Sequence, residues 1–354
     1  MRKETTERVE RGFQHRVHRE HREDRAERVR DEARSAEGFV EGLREVWQIQ
    51  SVVIGLFFLM GIAVGSFLNV CITRIPEGLA IGLPVSHCPK CGTAIKPYDN
   101  VPILAWLWLR GKCRSCGCPI SAMYPLVELA TGFLFVACYL EFGITAATVK
   151  WVFFTCLVVV LTVTDLRVRL LPDLVTWPGF AVGLFFSAFV PPDDGMAFVL
   201  VFRFFRGLPP EWLVGVVEAL LGAAFGSLLL WGAAALYKVI RGREGMGFGD
   251  VKMMAMAGAF LGVRNTFITI LLGTLLGSIV GLGVILALYA SGWGRKLAER
   301  ASRRGMGTVN GLRWTIASQY QLPLGTFLGV GALIVMFVFS SFSSFSIHLP
   351  LGLR

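Results

Sequence analysis

Eight apolar runs, at residues 51–72, 122–142, 148–166, 174–190, 213–238, 251–264, 265–290 and 322–346, dominate this 354-residue chain. The bilayer core offers no water to exposed N–H and C=O groups, so a run of roughly 20 apolar residues placed there satisfies its backbone only as a helix. Hydrophobic residues make up 54% of the chain and mean hydropathy is +0.60, too apolar for a water-soluble globular domain. The expected fold is an all-α polytopic membrane protein of about eight transmembrane helices, with the lipid bilayer as its first partner. The run at 251–264 is the shortest of the eight.

Charge sets the expected orientation. The first 50 residues hold 12 basic and 12 acidic side chains, so the whole net charge of +10 lies downstream. The excess sits in four loops, 73–121, 167–169, 238–252 and 295–313. The positive-inside rule assigns all four to the cytoplasm, and eight spans satisfy this with both termini outside. That arrangement exports a tail with 12 basic residues, against the usual direction of the rule. Either the tail is a membrane-surface helix, or translation starts nearer residue 40. The first 50 residues are charged rather than apolar, so no cleavable signal peptide is expected. Their Arg/Glu spacing suits a solvated helix or a disordered arm. His15, His18 and His21 fit a solvated face better than a metal site, and no nucleic-acid partner is expected. The expected divisions are a charged extension (1–46), a first transmembrane helix (47–72), a cytoplasmic module (73–121), a transmembrane core (122–346) and a short tail (347–354).

The module is proline-rich and carries four of the eight cysteines, in Cys88-Pro-Lys-Cys91 and Cys113-Arg-Ser-Cys116 with 21 residues between the pairs. This is close to zinc-ribbon spacing. Each CxxC turn places two thiolates on one face, and two turns complete a tetrahedral S4 site. Structural zinc is the reading this spacing favours; redox chemistry and plain packing cysteines are the competing ones. Four sulfurs leave no open position, which argues against catalytic zinc. Cys71, Cys118, Cys138 and Cys156 read as small apolar packing residues, with Cys118 near enough in sequence to substitute for a ligand.

Two acids stand at the ends of apolar runs. Asp250 follows three glycines in Gly245-Met-Gly247-Phe-Gly249-Asp250-Val-Lys252, and Asp165 follows the run from Val149 to Thr164. A carboxylate beside a bilayer is costly and marks a functional site by default. Both fall on the cytoplasmic side of the eight-span arrangement, where they can meet. Two carboxyl groups sharing one proton supply the base and the acid that peptide hydrolysis needs. The bland alternative pairs these acids with Arg167, Arg169 or Lys252. It competes evenly for Asp165. For Asp173 it is preferred, either as an ion pair or as a helix N-cap. Lys252 either holds Asp250 ionised or contacts lipid headgroups. Gly247 and Gly249 strip the backbone so that another chain can approach.

These residues resemble a known family. Asp165 with Leu171-Pro172-Asp173, and Gly247-Phe-Gly249-Asp250-Val-Lys252, look like the two active-site motifs of prepilin peptidases (type IV leader peptidases), which are GxGD-type intramembrane aspartic proteases. Gly65-Ser-Phe-Leu-Asn69-Val with Arg74 and Pro76 resembles that family's first span. His87-Cys-Pro-Lys-Cys91, Asp99-Asn-Val-Pro102, Arg110-Gly-Lys-Cys113-Arg-Ser-Cys116 and Tyr124-Pro-Leu-Val-Glu128-Leu follow the order of its cytoplasmic domain. The resemblance covers residues 51–346.

The resemblance implies a bifunctional enzyme of the bacterial cytoplasmic membrane, with its active site facing the cytoplasm. It would cut the basic leader of type IV prepilins and type II secretion pseudopilins after a glycine. It would then N-methylate the new terminus with S-adenosylmethionine. The catalytic dyad maps to Asp165 and Asp250, not Asp173. Asn69, Arg74 and Glu128 are polar groups that would bind cofactor or substrate, or simply close helix ends; the cofactor site is otherwise unassigned. Three features depart from the family pattern: the charged extension, the long 85-residue separation of the two aspartates, and Leu324-Gly325-Thr326 where relatives often carry Gly-Pro. The competing functional readings are a peptidase without methyl transfer and a proton-coupled transporter. Carboxylates at the membrane edge and the lack of an internal repeat argue against the transporter.

Overall fold

The computed structural model describes residues 47–82, 86–192, 201, 209–243, 245–290 and 323–346, with backbone alone at 288–290 and 339–346. The expectations for residues 1–46, for most of the 191–212 loop, for the 295–313 loop and for 347–354 lie outside them. The chain divides into two compact units, Met1–Leu56 and Phe57–Arg354. In the first, residues 47–56 are helical.

The described residues form α1 (Trp47–Arg74), α2 (Leu104–Trp108), α3 (Met123–Phe142), α4 (Ala146–Val168), α5 (Asp173–Ser187), α6 (Glu211–Arg241), α7 (Phe248–Ala290) and α8 (Leu324–Ser346). Five of them, α1, α3, α4, α6 and α7, are long and apolar enough to cross a membrane. With 15 residues, α5 is shorter. The chain is thus a multi-pass membrane protein with a cysteine cluster between α1 and α3. Large apolar side chains stand exposed on the helices, among them Phe133, Phe153, Leu228 and Leu275. Helices apolar on every face find a stable surrounding only in lipid or in one another.

α7 is two helices. Gly262 breaks it with φ 77° and ψ −176°, a backbone conformation open to glycine. In a straight helix Met254 and Thr266 would lie about 18 Å apart along the axis. Both instead touch one point on α6: a Cβ added to Gly226 would meet Thr266 Cγ2 at 2.7 Å and the Met254 carbonyl oxygen at 2.9 Å. The chain therefore turns back at Gly262, and both arms lie along α6. The expected boundary between the runs 251–264 and 265–290 falls two residues past this reversal.

Glycine also sets how closely the helices meet. Gly222 of α6 and Gly258 of α7 rest backbone against backbone, and a Cβ on Gly61 of α1 would stand 2.7 Å from Gly132 Cα of α3. Lipid gives helices no hydrophobic reason to pair, so dispersion across such close approaches holds them. The core between α4, α7 and α8 is fully buried at Phe154, Leu161, Met253, Met256, Phe260 and Leu328. The Phe154 and Phe260 rings sit 5.0 Å apart.

Candidate active site and metal centre

Asp165 lies in the last turn of α4 and Asp250 in the first turn of α7. Only 5% and 8% of their surfaces are exposed. The α4 helix ends at Arg169, which takes the left-handed conformation (φ 54°) and donates its N–H to the Asp165 carbonyl oxygen at 2.9 Å. The chain then runs through Leu170-Leu171-Pro172 into α5. Leu171 fills the angle between the helices. A Cβ on Gly249 would stand 3.0 Å from Leu171 Cβ, so α7 starts this close to the loop only because Gly249 has none. A Cβ on Gly247 would lie 3.9 Å from Asp250 Oδ2, and its absence leaves that side of the carboxylate open.

The third wall comes from α8. A Cβ on Gly325 would lie 3.0 Å from Asp165 Oδ2 and 3.1 Å from Asp250 Oδ1. The two carboxylates thus reach the same spot, and their oxygens are no farther apart than those distances laid end to end. Thr326, the next residue, donates its N–H to Asp165 Oδ2 at 2.7 Å, and its hydroxyl lies 3.1 Å from both Asp165 Oδ2 and the Thr162 carbonyl oxygen, which share its one proton. Among the described residues no hydrogen bond reaches the Asp250 carboxylate.

Lys252 does not serve Asp250. Its ammonium donates to Asp173 Oδ1 and Oδ2 at 2.7 and 2.8 Å, and sits 5.3 Å over the Phe248 ring. Asp173 is the first residue of α5, whose N-cap is Pro172. The N-cap alternative for Asp173 is therefore set aside in favour of the ion pair. The pair joins the starts of α5 and α7 and is more than half exposed on the Asp173 side.

The cysteines converge as their spacing suggests. The sulfurs of Cys88, Cys91, Cys113 and Cys116 all lie within 4.8 Å of one another, with Cys88 and Cys116 at 3.8 Å. A tetrahedral ion with bonds of about 2.3 Å needs sulfurs about 3.8 Å apart. The two halves of the site repeat one device. Gly92 and Gly117 follow the second cysteine of each pair in left-handed conformation (φ 68° and 67°) and donate to the carbonyls of Cys88 and Cys113 at 2.9 Å. The Cys88 and Cys113 N–H groups close each turn on Thr93 and Cys118 at 3.0 and 2.8 Å. The N–H groups of Cys91 and Lys90 also point at the Cys88 sulfur and hold its thiol below the ordinary range, while the thiol of Cys116 is pushed up in the same cluster. Cys118 stands beside this cluster. It occupies the place that Thr93 takes in the first turn, and its sulfur is 3.5 Å from Cys88. An Asp99–Arg114 pair, closest at 2.6 Å, ties the 97–99 turn to the second cysteine turn.

Comparison with known proteins follows the same division. Residues 59–142 match the bacterial peptidase A24 N-terminal domain, and residues 152–282 match the type IV leader peptidase family. A prepilin leader peptidase/N-methyltransferase from Aeromonas hydrophila is 37% identical over 255 residues, 65% of this chain and 81% of the relative. The chain belongs to the type IV leader peptidase family. Proteins of the same name from Pseudomonas aeruginosa (36% over 250 residues, 63% of this chain and 78% of the relative) and Neisseria gonorrhoeae (33% over 274 residues, 68% and 88%) are also similar. No solved structure matches the chain.

The peptidase match contains Asp165 and Asp250 but stops at residue 282, short of Gly325 and Thr326. Reading the sequence missed both as site residues and noted the pair only as a departure from the family pattern. Their signal was faint: a helix start after Pro323 with two small residues. In this leader peptidase the other polar candidates gather elsewhere. Asn69 donates to the Tyr124 carbonyl at 3.0 Å, Arg74 to the Ala80 and Ile81 carbonyls at 3.2 and 3.1 Å, and buried Glu128 accepts the Ile103 N–H at 2.7 Å. All three line a cavity of about 600 Å³ between α1, α3 and the cysteine module.

Proposed function

We propose that this chain is a membrane aspartic endopeptidase. It removes the basic leader of type IV prepilins and type II secretion pseudopilins after a glycine, then N-methylates the new N-terminal residue with S-adenosylmethionine. The observation that carries the peptidase reading is the convergence of Asp165 and Asp250 on Gly325. In the hydrolytic step the dyad holds one proton. Asp165, whose Oδ2 takes the Thr326 N–H at 2.7 Å, is built to hold the charge and act as base toward water. Asp250 gives the shared proton to the scissile carbonyl oxygen as water adds; when the C–N bond breaks, the proton that Asp165 took from water passes to the leaving amine and Asp250 recovers its own. Gly325 lacks the Cβ that would crowd both carboxylates, which keeps their shared face clear for the reacting carbonyl and water.

The proposed topology has eight spans, counting α7 as two about the reversal at Gly262. It places the dyad, the module and the basic loops at the cytoplasmic face of the bacterial inner membrane. A prepilin then keeps its apolar helix in lipid and its basic leader in water while the bond between them enters the site. Residues 73–121 form the module, and Cys88, Cys91, Cys113 and Cys116 hold one structural zinc ion, which would lock the two cysteine turns together. The domain divisions read from the sequence are retained in this proposal. Both carboxylates sit within a turn of a helix end, which supports hydrolysis at the membrane edge over transport through its midplane.

The test is cleavage of a synthetic prepilin by purified protein in detergent, with mass spectrometry of the product. Wild type should cut after the glycine and add one methyl mass in the presence of S-adenosylmethionine. Full cleavage by Asp165→Asn or Asp250→Asn would remove the dyad from the mechanism. Cleavage without the added mass would leave a peptidase alone.

A further inference from the structure

The five-residue helix α2 carries its apolar side chains on one face. At about 100° per residue, Leu104, Leu107 and Trp108 fall within about 100° of one another around the axis, and Trp106 falls on the opposite side. Exposure follows that division. Leu104, Leu107 and Trp108 are 65%, 57% and 83% exposed. Trp106 turns inward, donating its Nε1–H to the Ile120 carbonyl at 3.2 Å and packing against Gly111. Val101, just before the helix, is exposed as well. Water disfavours such a patch, and it marks a surface that meets something apolar.

The fold places this face at the edge of the bilayer. Ile103, which caps α2, donates its N–H to Glu128 Oε2 at 2.7 Å, and Glu128 lies in the second turn of α3. That helix is long and apolar enough to cross the membrane, and Leu126 in the same part of it is exposed. Only residues 143–145 join α3 to α4, so the start of α3 and the end of α4, with Asp165, share one side of the membrane. At the far end of α2, Gly111 donates its N–H to the Trp106 carbonyl at 2.9 Å. The helix is thus tied at both ends rather than free to swing into water.

Charge completes the pattern. Arg110 and Lys112 follow α2 directly and are exposed. Trp and Leu beside Arg and Lys match the boundary of a phospholipid leaflet. There a Trp ring sits at headgroup depth, leucines reach the acyl chains and basic groups meet phosphates.

We propose that α2 is a membrane-interface foot, through which Leu104, Leu107 and Trp108 seat the cysteine module on the phospholipid leaflet at the dyad's side of the bilayer. The lipid-facing surface of α3, which includes Leu126, thereby extends onto the module. The Ile103–Glu128 bond ties the foot to α3, and the Trp106–Ile120 bond ties it to the segment leaving the second cysteine turn. The seat therefore sets the height of the module relative to Asp165.

The test is photo-cross-linking of the full chain in nanodiscs of phosphatidylethanolamine and phosphatidylglycerol. A benzophenone amino acid replaces Leu104, Trp108, Leu275 or Lys90, one at a time. Leu275, exposed on α7, gives the yield of a side chain in lipid, and Lys90, on the first cysteine turn, that of an exposed charged position. Melting curves confirm that each variant is folded. Lipid adducts at positions 104 and 108, read by mass spectrometry, should come within about threefold of the Leu275 yield and exceed the Lys90 yield about tenfold. Yields at 104 and 108 no higher than at Lys90, with Leu275 labelled, overturn the proposal. Adducts at 108 to a second copy of the chain, or to another segment of the same chain, overturn it too, since the face would then be a protein contact.

Discussion

The cysteine module draws its four sulfurs from two short turns, and the hydrogen bonds that shape each turn join residues within the same few positions, such as Gly92 to Cys88 and Gly117 to Cys113. The aspartate cradle draws on three helices. Thr326 binds Asp165 across 161 residues of sequence, and Leu171 reaches both Gly249 and Gly325. The module is thus an assembly of two repeated local motifs, closed by whatever the sulfurs bind. The cradle exists only when α4, α7 and α8 have packed. A lesion in the first should stay local, and a lesion anywhere along the second should be felt at the dyad.

The largest expected effect breaks the cradle at its chemistry. Asp165→Asn and Asp250→Asn should each lower prepilin cleavage by about 10³-fold or more, the scale of a lost acid or base. Asp173→Asn, which removes only the exposed pair with Lys252, should stay within about threefold of wild type, because exposed pairs contribute little. Initial rates on one substrate check this, and a collapse in Asp173→Asn would mean that the ion pair belongs to the site.

Cys113→Ser tests the local character of the module. Metal analysis should show zinc falling from one equivalent per chain to about a tenth or less, since a structural site needs all four ligands. The melting behaviour of the transmembrane helices should be unchanged. A full equivalent retained in this variant would point to Cys118, 3.5 Å from Cys88, as the replacement ligand.

Gly325→Ala adds one carbon where both carboxylates already stand 3.0 and 3.1 Å from its position. Crowding of this kind costs about 1–3 kcal/mol, so cleavage should fall by roughly 10–100-fold while α8 still packs. Wild-type rates in this variant would show that the carboxylates part more readily than the packing suggests.

The smallest effect concerns Asp99. The Arg114 guanidinium holds the Asp99 carboxyl below the usual carboxylate range. A depressed folded-state value means that the pair stabilises above the unfolded value of about 4 and that this contribution is lost as pH falls through the lower folded value. Asp99→Asn should melt about 1–2 °C below wild type at neutral pH, and the difference should vanish in acid. A difference that persists below that window would assign the effect to packing of the 97–99 turn instead of to charge.

Much of this was legible in the residues themselves. The helical runs were, because lipid permits an apolar stretch little else, and even the division of α7 showed as the boundary between the runs 251–264 and 265–290, two residues past Gly262. The cysteine cluster was legible because its members come in two CxxC pairs whose spacing is a local property. Lys252 was not: its neighbour in sequence is Asp250, but its partner in space is Asp173, because Lys252 and Asp250 are two positions apart on α7 and face different ways. Gly325 and Thr326 were not legible either. A small residue and a hydroxyl at the start of an apolar helix carry no chemistry until another helix brings a carboxylate to them.

The sequence by itself therefore determined the class of fold, the grouping of the four cysteines and the two acids at the ends of apolar runs, since each follows from composition or from spacing within one segment. Only the tertiary structure decided that Asp165 and Asp250 share one spot, that Thr326 holds the first of them, and that Glu128 faces a cavity beside the module. Those relations depend on how close the helices stand, and that distance is set by glycine contacts between segments far apart in the chain.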